Sequence, residues 1–285
     1  VIITMENKGA GMMKKNNNKG FTFIELVIYM GILGIFMVAV VTFIGSTLNA
    51  YKVNNSRKKL QTQASETYDM VSDMLMAGTE VKIVGSAYIK GTSAGVDTYT
   101  KRDGCFVVPA DKEKVDKTSG AIIAEGGLAA RTESIVNGGS AACYDIAAVK
   151  PFTSTDTPST DKQTMIDVKY LYIKYTSDLT NDGANIYTYC TLKYDETEKK
   201  LYVYKTNSND AGFDEVAASK IHDNSSAGDS VVCKNVEQFK LQVNPDTGTF
   251  AIILELDDPQ TSAQYDMNGV VSLRNSFVLK KHEWK

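Results

Sequence analysis

From Phe21 to Leu48 the chain reads FTFIELVIYMGILGIFMVAVVTFIGSTL, and no other part of the sequence limits the fold so strongly. As an α-helix rising ~1.5 Å per residue the run extends ~42 Å. That exceeds the ~30 Å hydrocarbon core of a bilayer. Lys14, Lys15 and Lys19 precede it, with no acidic residue nearer than Glu6. By the positive-inside tendency the short amino terminus stays in the cytoplasm and everything after Leu48 is exported. A secretory signal would have a shorter apolar stretch with a small-residue cleavage site behind it. Here the order is reversed: a polar, basic leader ends in Gly20 immediately before the apolar run. Glu25 is the one charged residue in the run, and in lipid it needs either a partner or a route to the headgroups.

The junction Lys19-Gly20-Phe21-Thr22-Phe23-Ile24-Glu25-Leu26 resembles the type IV prepilin signature, over the leader and the start of the mature chain. The resemblance implies cleavage after Gly20 by a membrane aspartic prepilin peptidase, followed by N-methylation of Phe21. It also implies that Glu25 pairs with the free N-terminal amine of a neighbouring subunit during docking. Partners implied in the same way are other major and minor pilins, the prepilin peptidase and N-methyltransferase, the pilus assembly platform and the membrane itself. The precursor would be a single-pass membrane protein with its amino terminus in the cytoplasm, and the product part of an extracellular pilus or pseudopilus. Glycine suits the cleavage position because an extended substrate without a side chain can lie close against a protease backbone.

Two features depart from the family pattern. Where many major pilins have a helix-kinking proline this chain has Thr42, although Gly31, Gly34 and Gly45 still allow loosening or close approach of neighbours. Val1 to Met12 also precede what would be a short leader beginning at Met13, and Val1, Met5, Met12 and Met13 stay open as starts.

Beyond Leu48 the composition turns polar while Val53, Leu60, Ala64, Tyr68, Val71 and Leu75 recur at helical spacing. This predicts an amphipathic continuation reaching Met76, stopped at Gly78, with Arg57, Lys58, Lys59, Glu66 and Asp69 on the opposite face. The stretch from Ser86 to Ser159 is rich in Gly, Ala, Ser and Thr and reads as a connecting region with short strands or helical turns. From Met165 the pattern becomes strand-like. Hairpins are expected about Asp195 to Lys199 and about Asn244 to Gly248, and a last strand from Gly269 to Leu279. The predicted fold is α+β and type IV pilin-like: a long N-terminal helix packed on a C-terminal antiparallel sheet. The segments are a leader (1–20), a transmembrane or filament-core helix (21–48), its amphipathic continuation (49–78), a variable connecting region (79–160) and the sheet domain (161–285). Val271-Ser272-Leu273-Arg274-Asn275 resembles the final strand of minor pilins of the J-type pseudopilin group. The presence of Glu25 then implies a place beside the extreme tip subunit, which in that group lacks this residue.

Cys105, Cys143, Cys190 and Cys233 contain no C-x-x-C pair, which argues against zinc ribbons and thioredoxin-type sites. Two disulfides in any of three connectivities are open to them, as is a role as small buried hydrophobes. Gly91-Thr92-Ser93-Ala94-Gly95 matches the G-x-S-x-G pattern, but the only histidines are His222 and His282 and no helix is expected after Gly95. The Asp178 to Tyr189 stretch lacks the glutamate that closes a calcium loop. No cofactor, metal or catalytic constellation is expected, and a net charge of -3 gives no basic footprint for nucleic acid. The expected function is that of a minor pilin or pseudopilin, at or near the tip and priming assembly. The alternative is a tip adhesin or DNA-binding pilin whose variable region contacts a surface.

Overall fold

The structure is a computed structural model that describes residues 22–109, 113–124, 129–135, 139–153, 158–179, 185–208 and 230–274. The chain divides into two compact units, Val1–Tyr51 and Lys52–Lys285. The α-helix among the described residues, α1 (Phe23–Ala77), supplies the first unit's apolar rod and continues into the second unit.

In the first unit the helix is apolar all round. Phe23, Ile35, Val38, Val41 and Phe43 are each at least two-thirds exposed, and none of its large side chains is buried. Where the family pattern has proline, the helix runs on through Thr42, whose hydroxyl donates to the Val38 carbonyl at 2.8 Å. This back-bond keeps a polar side chain satisfied inside an apolar segment.

In the second unit the helix becomes one-sided. Leu60, Ala64, Thr67, Val71, Met74 and Leu75 are buried, spaced by threes and fours, while Arg57, Lys58, Lys59, Glu66 and Asp69 are exposed, as the periodicity predicts. The helix ends at Ala77, and the Gly78 N–H donates to Leu75 O at 3.1 Å. Tyr68 lies over Gly269 so closely that an added Cβ there would meet the ring at 2.4 Å.

The strands are β1 (Glu80–Ser93), β2 (Val96–Val107), β3 (Lys114–Val115), β4 (Ile122–Ile123), β5 (Thr132–Ile135), β6 (Gly139–Asp145), β7 (Met165–Leu179), β8 (Asn185–Asp195), β9 (Lys200–Ser208), β10 (Ser230–Lys234), β11 (Val236–Asn244), β12 (Thr249–Asp258) and β13 (Ala263–Ser272). Among the described residues eleven of them form one sheet in the order β10-β9-β8-β7-β1-β2-β6-β5, with β11 also pairing with β7 and leading to β12 and β13; β3 and β4 pair separately. All its pairs are antiparallel except β2 with β6, which are parallel. The excursion between β2 and β6 is long enough for the crossover that a parallel pair requires. The layout is α+β.

Both predicted hairpins form. Asp195 Oδ1 accepts from the Thr197 and Glu198 N–H groups at 3.1 Å each, closing the β8–β9 turn. Asn244 Oδ1 accepts from Asp246 N and Thr247 N, and Gly248 takes φ +67°, closing the β11–β12 turn. Two expectations change. The Ser86 to Ser159 region, read as a connection, contributes most of β1 and all of β2, long strands in the middle of the sheet. From Ser86 to Thr92 burial does alternate along β1, but two of the three inward positions, Ala87 and Gly91, are small, so the alternation is not written as hydrophobicity. The last described strand begins at Ala263 rather than Gly269: Ala263, Tyr265 and Met267 alternate with the more exposed Gln264, Asp266 and Asn268, a strand period that carries the element six residues further toward the amino end; residues 275–279 lie outside the described residues.

The sheet has two covered faces. On one, α1 packs against Ile83, Phe106, Leu171, Ile173, Cys190, Leu192, Leu241 and Leu254. On the other, Val84, Cys105, Val107, Ile122, Cys143, Tyr172 and Tyr189 form a smaller cluster beneath the excursion between β2 and β6.

Candidate functional site: the amino end of the long helix

Thr22 and Glu25 form a reciprocal cap at the start of α1. The Thr22 N–H and hydroxyl both donate to Glu25 Oε2, at 3.1 and 3.0 Å, and the Glu25 N–H donates to Thr22 Oγ1 at 3.3 Å. The first helical hydrogen bond, Leu26 N to Thr22 O, closes at 3.2 Å. Thr22-Phe23-Ile24-Glu25 is thus a capping box of the S/T-x-x-E type, which satisfies helix donors that have no partner within the helix. The carboxylate also lies at the positive end of the helix dipole. The sequence pattern alone would have revealed this local partner, which a reading centred on the neighbouring subunit's amine passes over.

Gly20 and Phe21, the expected cleavage and methylation positions, lie outside the described residues. Behind the cap the apolar surface of the helix has no cover within the first unit. A continuous exposed apolar surface of this kind requires lipid or a protein partner. By length and composition the helix can cross a membrane.

The four cysteines are buried and do not gather at one place. Cys105 on β2 and Cys143 on β6 are register partners on the face away from α1. Cys190 and Cys233 lie on the α1 face, on β8 and β10 with β9 between them. Burial pushes the Cys190 and Cys233 thiols up from their ordinary range. Cys190 donates to the Tyr175 hydroxyl at 3.8 Å.

Beside Cys105 and Cys143 runs a chain of ions, with Lys82 and Glu133 buried and Arg131 and Glu113 half-buried. Lys82 contacts Glu133, Glu133 also accepts from Arg131, and Arg131 donates from Nη1 to Glu113 at 2.9 and 3.2 Å. Sequence spacing gives no hint of this group, because Lys82 on β1 and Glu133 on β5 are joined only by the fold. The Gly91-x-Ser93-x-Gly95 pattern falls at the β1–β2 hairpin, where Ser93 pairs with Val96 and Ala94 and Gly95 take φ of +51° and +80°. It is a two-residue turn, not a strand-to-helix elbow. His222, His282 and residues 181–183 lie outside the described residues.

Residues 15–41 match the family described as the prokaryotic N-terminal methylation motif. No curated protein and no solved structure gives a significant match. The motif implies processing by prepilin peptidase and assembly with other pilins, and together with the apolar helix it supports anchoring of a precursor in the membrane. With one long apolar helix leading into a sheet domain, the motif supports assignment of the chain to the type IV pilin-like family, whose members are structural rather than catalytic.

Proposed function

We propose that this chain is a minor type IV pilin, cut after Gly20, methylated at Phe21 and inserted by its N-terminal helix at or near the tip of a filament, where it primes assembly. The observation that carries this reading is the fully exposed apolar helix headed by the Thr22–Glu25 cap within a methylation motif. In lipid that surface is solvated by acyl chains; in a filament the same surface packs against helices of other subunits, so extraction from the membrane exposes no apolar area to water. Glu25 exchanges the Thr22 donors for the amine of a neighbour as the subunit docks.

The test is N-terminal sequencing and intact mass of protein from its native membrane, with a prepilin-peptidase-deficient strain alongside. A chain beginning at methylated Phe21, missing from the deficient strain, is expected; an uncut terminus in both strains overturns the proposal. Glu25→Gln preserves an acceptor for the Thr22 donors but removes the charge. It is expected to insert in the membrane normally and to be depleted from sheared filaments about tenfold or more, as befits loss of a buried charge pair. Equal incorporation would remove the docking role and leave Glu25 as a cap.

A further inference from the structure

We propose that Cys105 and Cys143 form a disulfide that staples the excursion between β2 and β6 to the main sheet, while Cys190 and Cys233 remain thiols. The inference rests on the reading that the sheet domain is exported, since an extracytoplasmic setting is where such a bond persists.

The topology decides the connectivity. Cys105 and Cys143 stand opposite each other on adjacent parallel strands. Neighbouring strands lie ~4.8 Å apart, inside the ~4.4–6.8 Å Cα range that a disulfide spans. Their sulfurs, with a carboxylate oxygen of Glu133, lie within 4.8 Å of one another. Cys190 and Cys233 are held apart by β9, opposite Lys205 and Leu201 respectively. Two strand spacings, ~9.6 Å, already exceed disulfide reach before the offset along β9 is added. Both lie across the sheet from Cys105 and Cys143. One pairing of the four thiols is therefore compatible with the fold.

The same three residues, Cys105, Cys143 and Glu133, have the donor set of a soft metal site. The ion chain argues against that use. Glu133 already offers one oxygen to Lys82 and the other to Arg131, so a cation would have to displace a buried ammonium to gain its third ligand. Oxidation of the two sulfurs leaves all four charges where they are.

The bond would reinforce a short pairing. β6 is held to β2 by three register pairs, Cys105–Cys143, Phe106–Tyr144 and Val107–Asp145, which add to the ties the excursion makes to β1 through Thr92 N–H to the Lys117 carbonyl and through the Lys82–Glu133 ion pair. Formation follows ordinary exchange: the thiolate of one cysteine attacks the disulfide of an oxidant, either a thiol–disulfide oxidoreductase or oxidised glutathione, and expels one oxidant thiolate. The second cysteine then attacks the mixed disulfide and releases the other. Two protons and two electrons pass to the oxidant, which leaves as two thiols. Both sulfurs are fully buried in the folded chain, so closure belongs to folding, before β6 docks.

The experiment uses the full chain in detergent micelles, refolded from urea with oxidised glutathione and digested with trypsin without reduction. The four cysteines fall in different tryptic peptides. The expected product joins the peptide containing Cys105 to the one containing Cys143, at 2 Da below their sum, with Cys190 and Cys233 alkylatable. Reduction should lower the Tm of the oxidised chain by roughly 10 °C, from the closed-loop entropy and a domain of this size, and should not affect a Cys105→Ser/Cys143→Ser variant. Scrambled links, free thiols throughout, an unchanged Tm, or stoichiometric zinc that blocks alkylation would each overturn the proposal. Native membranes alkylated at harvest supply the second arm. A Cys105–Cys143 link there supports it, and free thiols on chains whose digest shows methylated Phe21 overturn it. An uncut N-terminus in the same digest refutes the pilin reading separately, and the refolding arm then decides the disulfide.

Discussion

Glu133→Leu should be among the most damaging single substitutions in the sheet domain, and adding Lys82→Met should reverse most of the damage. The side chains of Lys82 and Glu133 are only 7% and 4% exposed. Removing the carboxylate strands the Lys82 ammonium in a setting from which water is excluded, at a cost of about 3–5 kcal/mol. Lys82→Met is milder, because Glu133 keeps Arg131. Its loss is one charge-assisted contact, about 1.5–3 kcal/mol. In the double variant Arg131 retains its bidentate hold on Glu113 and no buried charge is left alone. Its stability should lie within about 1 kcal/mol of the parent, which makes the coupling between the two sites at least about 3 kcal/mol. Urea unfolding of the full chain in nonionic micelles, followed by circular dichroism, measures all three. The Tm of Glu133→Leu should fall by roughly 6–20 °C at about 2–4 °C per kcal/mol. If Glu133→Leu costs under about 1 kcal/mol, or if the two substitutions simply add, the pair is not a buried, mutually dependent one.

Other expectations follow from the same structure. Gly269→Ala should destabilise by about 1–3 kcal/mol, since its Cβ would meet the Tyr68 ring; Tyr68→Leu in the same chain should recover part of the loss in the same unfolding assay. Leu75→Ala, fully buried beneath the sheet, should cost about 2–5 kcal/mol, whereas Lys58→Ala on the exposed face of α1 should stay within about 0.5 kcal/mol. The Glu198 N–H bonded to Asp195 holds that carboxyl below its ordinary value, with the Lys193 ammonium adding to the effect. A depressed native value gives stability that is present above the ordinary carboxylate range and lost as the pH falls through the native one. Urea midpoints should therefore hold steady from neutrality to about pH 4 and fall below it, and Asp195→Asn should flatten that fall.

The α1 pattern was legible in the sequence because both of its environments are written in period and composition. Val53 to Leu75 repeat at helical spacing, and Phe21 to Leu48 leaves no polar face at all. The two polar turns, Asp195 to Lys199 and Asn244 to Gly248, were legible for a local reason: an Asx side chain and a positive-φ residue act within a few positions of each other. The central position of β1 was not legible. Beyond Ser86 its inward positions include Ala87 and Gly91, too small to write the alternation as hydrophobicity, and a Gly, Ala, Ser and Thr composition then reads as a connection. The Lys82–Glu133–Arg131–Glu113 chain was out of reach for a different reason. Lys82 and Glu133 meet only once β5 and β6 have docked beside β2, and nothing in spacing foretells a parallel crossover among short strands.

Under the proposed docking role, the Glu25 carboxylate would serve two states of a subunit, and the cap with Thr22 is the first of them. A helix beginning inside or at the edge of a bilayer has amide donors with little water to satisfy them, and unsatisfied donors in hydrocarbon are costly. The capping box meets this demand within the chain, so a lone precursor can wait in the membrane without a partner for its charge. The donors from Thr22 converge on Oε2 alone. A carboxylate has acceptor capacity on both oxygens, so an approaching ammonium can be received before the Thr22 bonds are released. Docking then needs no intermediate in which the carboxylate stands bare in an apolar setting. A glutamate three residues after a threonine, at the head of a helical segment that is apolar on every side, caps that helix while the chain is alone, and under the proposed docking role the same side chain would supply charge recognition on assembly.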